Sequence, residues 1–130
     1  MTQTQVVALT IKKENKFLLG RRSLAKKVAP GYWCPISGKI EIGESEEQAL
    51  VREAYEEIGV QIKPIKKLTT FDIESRKNLL HWWLVEIVQG EPKINNDEHT
   101  ELAWFCFDEI LKLEPIFQED IAVYRSLVSE

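Results

Sequence analysis

The sequence predicts an α+β protein or an α/β/α sandwich, because apolar β-branched segments alternate with polar turns and with separated amphipathic helices. The chain has 130 residues, 44% of them hydrophobic, so it can fill one compact core. No repeat, low-complexity tract or linker interrupts it. We therefore expect a single domain over residues 1–130.

The first half of the chain opens with a predicted β-hairpin. Residues 6–11 form an apolar β-branched run, and a second strand begins at Phe17 after a polar turn. A basic, irregular segment follows at residues 21–29 and leads through a Pro-Gly turn signal to a short extended segment at residues 32–34.

The clearest helix is predicted over residues 44–59. Ser45 and Gln48 have the spacing of a capping box at its start. Gly59 stands where a helix commonly ends on a left-handed residue.

The second half of the chain is predicted to hold further strands and two helices. We expect strands at residues 60–62, 65–71, 78–88 and 102–107. Asp108 is expected to cap a short helix that runs through Leu113. A final amphipathic helix is expected over residues 118–128, with its inward face formed by Ile121, Tyr124, Leu127 and Val128.

Composition narrows the classes of function. The net charge is −4, so the chain lacks the basic excess of a protein that coats nucleic acid, although it can still bind one small phosphorylated molecule through a metal ion. Cys34 and Cys106 form no CxxC pattern and are interpreted as free thiols in a reducing compartment. We expect no secretory leader and no membrane span, and hence a cytoplasmic protein.

The predicted long helix has an acidic face. On a helical wheel Glu53, Glu56 and Glu57 lie within about 100° of one another, and Arg52 stands four residues before Glu56. A second, mostly apolar face is expected to pack on the sheet, with the carboxylates off it; this second face contains Glu47, Leu50, Val51, Ala54 and Ile58.

Clustered carboxylates repel one another unless a cation lies among them. Oxygen ligands select a hard ion such as Mg²⁺. Considered alone, this face could equally be a solvated acidic surface, which many glutamate-rich helices have.

The segment from residue 38 to residue 60 resembles the Nudix box, G-x5-E-x7-R-E-U-x-E-E-x-G-U, where U is a bulky apolar residue. The fixed positions hold Gly38, Glu44, Arg52, Glu53, Glu56, Glu57, Gly59 and Val60. Ala54 is smaller than the residue usual at its U position. Many relatives also have Pro-Gly-Gly before the box lysine, whereas this chain has Pro35-Ile36-Ser37 before Gly38-Lys39 in what we take to be a loop.

The resemblance implies a Nudix-type α/β/α sandwich, with a mixed β-sheet between helices, and a MutT-type pyrophosphohydrolase. It implies that Glu53, Glu56 and Glu57 hold Mg²⁺, with Mn²⁺ as a substitute, and that the ion neutralises a diphosphate and activates the attacking water. Arg52 would orient the glutamates. For Glu44 we expect a structural role near the helix N-terminus, with a role as a metal-shell ligand as the alternative.

The general base is expected in the polar loop at residues 95–101, with Glu98 preferred to Glu101. Glu98→Gln should then lower kcat with substrate affinity nearly unchanged. His99 is a further candidate for proton transfer because histidine titrates near neutral pH. The alternatives are an ordinary polar loop, or a helix glutamate that serves as the base.

Substrate phosphates are expected to contact Arg21, Arg22, Gly38 and Lys39, although a solvated basic loop would give the same pattern. The resemblance favours a small nucleotide-like substrate. The expected one is a nucleoside triphosphate, for example an oxidised one such as 8-oxo-dGTP. Two alternatives stay open: hydrolysis of a nucleoside diphosphate linked to a sugar or other group, and a non-catalytic nucleotide sensor. We expect no nucleic-acid or membrane partner and either a monomer or a homodimer.

Overall fold

The computed structural model describes residues 3–128, except for the side chain of residue 76. Its strands are β1 (Thr4–Lys13), β2 (Lys16–Arg22), β3 (Trp33–Cys34), β4 (Ile36–Lys39), β5 (Gln61–Ile73), β6 (Asn78–Gln89) and β7 (His99–Cys106). Its helices are α1 (Glu46–Ile58), α2 (Phe107–Ile110) and α3 (Gln118–Ser126), and a 3₁₀ turn at Glu74–Arg76 joins β5 to β6.

Strand β1 lies at the centre of a mixed sheet. It forms the predicted hairpin with β2, pairs antiparallel with β4 and pairs parallel with β6. Strand β5 extends the sheet beyond β6, and β3 and β7 both pair with β2. The parallel pairing of β1 with β6 makes the sheet mixed, which confirms the predicted fold class.

Hydrophobic cores lie on the two faces of the sheet, as alternation along β1 requires. Val7, Leu9 and Ile11 point to the face covered by α1, and Ala8 points to the face covered by α2 and α3. The α1 core also contains Leu18, Ile36, Ala49, Leu50, Ala54, Ile58, Val60, Ile62 and Val85. The opposite core contains Phe17, Leu19, Trp33, Trp82, Ile110, Ile121, Val123 and Tyr124.

Helix α1 begins and ends as its sequence predicts. The Ser45 hydroxyl accepts from the Gln48 amide at 3.1 Å, and the Gln48 side chain accepts from the Ser45 amide at 2.9 Å. Gly59 ends the helix with φ 69°, in the left-handed region. These caps fix the length and rotation of the helix that carries the acidic residues.

The packed face of α1 is rotated from the predicted one. Val51 is 43% exposed, whereas Ala49 is fully buried, so the contact with the sheet is shifted towards the carboxylates. As a result Glu53 and Glu57 are buried, each 7% exposed, and the expectation that they lie off the apolar face was wrong. The pattern was misinterpreted because a glutamate was assumed to avoid the packed side.

Other element predictions need smaller corrections. The strands predicted at residues 60–62 and 65–71 form one strand, β5, with irregular register. The segment Ile36–Lys39, interpreted as a loop, is strand β4, because its backbone pairs with β1. Helix α2 is capped by Cys106 and not by Asp108, since the Glu109 side chain accepts from the Cys106 amide.

The inward face predicted for the last helix needs one further correction. Val128, predicted to face inward, is 38% exposed beyond the end of α3, while Ile121 and Tyr124 are buried as predicted. Cys34 and Cys106 are not joined in a disulfide bond, in agreement with the prediction. None of the helices within residues 3–128 has the length and apolar character needed to cross a bilayer.

Candidate active site

An acidic cleft opens between α1, strand β4, the segment that joins β2 to β3 and the loop that precedes β7. Its volume is about 890 Å³, which is large enough for a small phosphorylated molecule. We call it the acidic cleft. It is lined by Val6, Arg22, Lys26, Ser37, Gly38, Lys39, Ile40, Glu41, Ile42, Arg52, Glu53, Glu56, Glu57, Asn96, Glu98 and His99.

Glu53 lies directly on the backbone of β4. A Cβ atom at Gly38 would come within 2.0 Å of the Glu53 carboxyl carbon, so only glycine can occupy position 38 while Glu53 keeps this conformation. Burial raises the pKa of Glu53 to about 7, against the opposing effect of a hydrogen bond from Arg52. Glu53 is therefore a carboxylate that costs free energy to ionise until a cation compensates it.

Glu57 is buried one turn further along α1. Its Oε2 accepts from the Asn96 side chain at 2.6 Å, but its Oε1 is buried without a hydrogen-bond partner, with the Nδ1 atom of His99 at 3.6 Å. Burial raises the pKa of Glu57. A buried carboxylate oxygen without a partner is unfavourable in the protein alone and suits a site that binds a cation.

The His99 imidazole packs on Gly20 of β2, where a Cβ atom would lie 2.6 Å from the His99 Cδ2 atom. Burial lowers the pKa of His99 to about 4, with Glu98 opposing the shift. His99 is therefore neutral at pH 7, and the expectation that it titrates near neutral pH was wrong because the ring is buried.

Arg52 connects the carboxylates of the acidic face. Its Nη1 donates to Glu53 at 2.7 Å and to Glu56 at 3.1 Å, while Nε and Nη2 donate to the two oxygens of Glu44 at 2.7 and 3.0 Å. Nη2 also donates to the Lys39 carbonyl at 2.8 Å, which ties α1 to β4. Such a planar fork fixes several oxygens at once, which a lysine could not do.

Glu44 and Glu56 differ from the two buried glutamates. The hydrogen bond from Arg52, reinforced by the Glu41 amide, lowers the pKa of Glu44 to about 2, so Glu44 stays ionised as the counter-charge of Arg52. Glu56 is exposed, and its carboxylate reaches Arg52 from the solvent side.

The loop before β7 brings one of its two predicted glutamates into the cleft. Glu98 lines the cleft and forms an ion pair with Lys26, which lowers the pKa of Glu98. Glu101 lies within β7, because that strand begins at His99 and not at residue 102. The cross-strand neighbour of Glu101 is Arg21, which donates to it at 3.3 Å.

Some of the basic residues before β3 line the cleft and others do not. Arg22 and Lys26 line the cleft, together with Gly38 and Lys39. Arg21 is outside the described lining: its Nε donates to the Gly31 carbonyl at 3.1 Å, and its guanidinium lies over the Trp33 ring. The geometry therefore does not support the expectation that Arg21 contacts phosphate.

A side pocket of about 440 Å³ adjoins the acidic cleft on the α3 face of the sheet and shares Val6, Arg22, Ser37 and Lys39 with it. Its floor is apolar, from Ala8, Leu80 and Trp82, and its walls carry the polar side chains of Asn78 and Asp120. The indole nitrogen of Trp82 is buried without a hydrogen-bond partner.

Sequence reasoning assigned no role to Asn96 or to the side pocket. Asn96 lies in the polar run that was singled out, but its bond to Glu57 depends on how that loop folds over α1. The side pocket combines residues from β1, β4, β6 and α3, so no local sequence signal could have identified it.

The residues present suit a divalent cation, although no complete cage is formed in advance. Among the described residues no three His, Cys, Asp or Glu side chains converge closely enough to hold a metal ion. The unpartnered Oε1 of Glu57 and the high pKa of Glu53 both favour a cation nearby. Arg52 holds Glu53 and Glu56, so for Glu56 to act as a ligand its carboxylate must rotate away from the guanidinium.

The fold and cleft define a class of protein: an α/β/α sandwich that presents buried carboxylates to a phosphate-sized cleft. The NUDIX domain model matches residues 1–127. The chain therefore belongs to the Nudix family of hydrolases, enzymes that act on phosphoanhydrides of nucleoside diphosphate derivatives and generally use a divalent metal such as Mg²⁺.

Curated relatives agree with this assignment. The chain is 31% identical to the CTP pyrophosphohydrolase of Escherichia coli (strain K12), over 99% of this chain and 94% of that protein. It is 28% identical to the NAD-capped RNA hydrolase NudC of Mannheimia succiniciproducens, over 95% of this chain but only 45% of that protein.

Solved structures show the same fold. The crystal structure of a MutT protein from Methanosarcina mazei Go1 superimposes with a TM-score of 0.81 at 24% identity, over 96% of this chain and 92% of that one. The solution structure of the E. coli ORF135 protein gives a TM-score of 0.77 at 28% identity, over 99% of this chain and 91% of that one.

Proposed function

We propose that this protein is a Mg²⁺-dependent pyrophosphohydrolase that cleaves a diphosphate bond in a nucleoside triphosphate by water attack at phosphorus. The main support is the pair of buried carboxylates, Glu53 and Glu57, which face a phosphate-sized cleft. Ionising both carboxylates is unfavourable in the protein alone, because each is buried. Two buried glutamates beside a cleft are therefore best explained as a cation site.

Glu53, Glu56 and Glu57 would hold the ion, with Mn²⁺ as a substitute. When bound, the ion supplies charge neutralisation of the diphosphate and activation of water. Arg52 positions Glu53 and fixes α1 against β4 through the Lys39 carbonyl. Arg22, Lys39 and the backbone at Gly38 would contact the phosphates.

Glu98 is the proposed general base. It lines the cleft on a loop outside α1, so it need not compete for the cation. Its low pKa keeps it ionised at neutral pH, as a proton acceptor must be. Substrate must first release it from Lys26, since an ion-paired carboxylate is a weaker acceptor.

The side pocket would hold the nucleoside. Its apolar floor and few polar wall groups are typical of a site for a flat, hydrogen-bonding base. It shares residues with the acidic cleft, so one ligand can extend across both. The CTP pyrophosphohydrolase relative makes CTP the first substrate to test, and 8-oxo-dGTP remains in the panel.

The decisive experiment is a product-mass screen with Mg²⁺ over nucleoside triphosphates, ADP-ribose, a nucleotide sugar and NAD. We expect a nucleoside triphosphate to give the monophosphate and pyrophosphate, with Glu53→Gln inactive. Preferred cleavage of ADP-ribose, the sugar nucleotide or NAD would replace the triphosphate assignment. Tight nucleotide binding without turnover of any compound would indicate a sensor.

A further inference from the structure

An ion pair joins the two loops that flank the acidic cleft. Lys26, in the segment between β2 and β3, contacts the carboxylate of Glu98, which directly precedes β7. The same loops are joined at the backbone, where the Ser23 amide donates to the Glu98 carbonyl at 3.0 Å. The Lys26–Glu98 pair is therefore held at a defined position beside the cleft.

The Lys26 ammonium is available from the cleft and faces more than one acid. Its side chain is 31% exposed and that of Glu98 is 44% exposed, and both residues line the cleft. Burial raises the pKa of the buried Glu57, and the charge of Lys26 opposes part of that rise. Lys26 thus lies where a polyanion in the cleft would approach it.

The two arginines of the cleft are held more firmly than Lys26. Arg52 is bound by Glu44, Glu53 and the Lys39 carbonyl, and Arg22 donates from Nε to the Val28 carbonyl. Lys26, by contrast, carries its charge on a flexible stem with three rotatable donors. A half-exposed lysine–carboxylate pair is weak, so a diphosphate of higher charge can compete for the ammonium.

We propose that Lys26 is a phosphate-binding residue that forms an ion pair with Glu98 in the absence of ligand. An entering diphosphate displaces Glu98 from Lys26 and so leaves the Glu98 carboxylate unpaired. Substrate binding and release of the proposed base are then one event. The proposal rests on the proposed function for the identity of the ligand. It also changes one expectation from the sequence: Glu98→Gln should tighten diphosphate binding instead of leaving it unchanged.

The test uses Mg²⁺ with methylenediphosphonate, a diphosphate analogue whose bridging carbon cannot be hydrolysed, and measures binding by calorimetry. Lys26→Met should weaken binding about tenfold, because it removes a charge-assisted contact. Glu98→Gln should tighten binding about fivefold, because Lys26 is no longer held. The matched controls Lys27→Met, at an exposed neighbour, and Glu101→Gln, at a pair outside the cleft, should bind as wild type.

The double variant Lys26→Met/Glu98→Gln distinguishes competition from simple repulsion. If Glu98 acts through Lys26, the double variant should bind like Lys26→Met alone. A full fivefold gain in the Lys26→Met background would overturn the proposal, because Glu98 would then act by repelling the ligand directly. Weaker binding by Glu98→Gln than by wild type would also overturn it, as would absence of binding to both wild type and Glu98→Gln.

Thermal unfolding of each variant checks that the fold is intact. Since no bond is cleaved, the result is independent of turnover. The expected binding pattern in a protein that hydrolyses no nucleotide would leave this inference standing and remove the proposed function. Nucleotide hydrolysis without the expected binding pattern would support the proposed function and overturn this inference.

Discussion

The carboxyl group of Glu53 lies against the backbone of Gly38 on β4, so close that there is no room for a side chain at position 38. This contact sets the depth of Glu53 in the cleft. The guanidinium of Arg52 then holds the same carboxylate from the other side at 2.7 Å. A glycine on a strand and an arginine on a helix thus define the position of one buried acid.

Gly38→Ala should therefore displace Glu53. We expect kcat to fall about 100-fold, since displacements of about 1 Å in a reacting group have effects of that size. The control is Gly43→Ala, whose Cβ would meet no atom within 4 Å although its φ of 84° disfavours alanine. It should lose about 1 kcal/mol of stability but keep most activity. Equal kcat losses in both variants would show that the contact is unimportant.

Glu57→Gln should stabilise the metal-free protein while it abolishes activity. The substitution removes a buried charge whose Oε1 has no partner, so the free energy of unfolding should rise by about 1 kcal/mol. Turnover should fall by at least about 100-fold if Glu57 holds the ion. Chemical denaturation with chelator and steady-state kinetics measure the two effects. A destabilised variant with normal turnover would refute both.

Glu98→Gln should lower kcat by about 100-fold or more, because it removes the proposed base while it preserves shape. Glu101→Gln should be close to wild type, since Glu101 pairs with Arg21 outside the cleft. The reverse result would transfer the role to Glu101. Normal kcat in both variants would assign proton removal to another group.

Stabilisation of the fold by Mg²⁺ should increase with pH. The folded pKa of Glu53, about 7, lies above the ordinary glutamate value of 4.5, so the stability that Glu53 contributes is fully present below pH 4.5 and is lost as pH rises through about 7. Mg²⁺ binds the ionised form and compensates this loss. The rise in Tm on adding Mg²⁺ should be small at pH 5.5 and larger at pH 8. Glu53→Gln should show a weaker pH dependence, since Glu57 is then the one buried glutamate of the site left with a raised pKa; an unchanged dependence in that variant would assign it to other groups.

The sequence predicted those parts of the site that depend on local spacing. The caps of α1 at Ser45 and Gly59 follow from hydrogen bonds between near neighbours, so they could be predicted. The central hairpin was predicted for the same reason, since two apolar runs on either side of a polar turn pair locally.

Features that depend on tertiary contacts could not be predicted. Glu101 was a plausible base until the register of β7 on β2 paired it with Arg21. The burial of Glu53 depends on how α1 rests on β4, a strand whose short sequence has no strong alternation. Likewise, the sequence could not distinguish Lys26 from the neighbouring basic residues, because its ion pair with Glu98 depends on the contact between two loops that are distant in sequence.

The central claim, that the acidic face of α1 is the metal site of a hydrolase, is tested most directly by one titration. Protein stripped of metal is supplied with CTP, or with the best substrate of the panel, and turnover is followed as Mg²⁺ is added. We expect no turnover without Mg²⁺, saturable activation on its addition, and no activation in Glu53→Gln. Turnover that persists undiminished in excess EDTA, or activation of Glu53→Gln equal to that of wild type, would contradict the account.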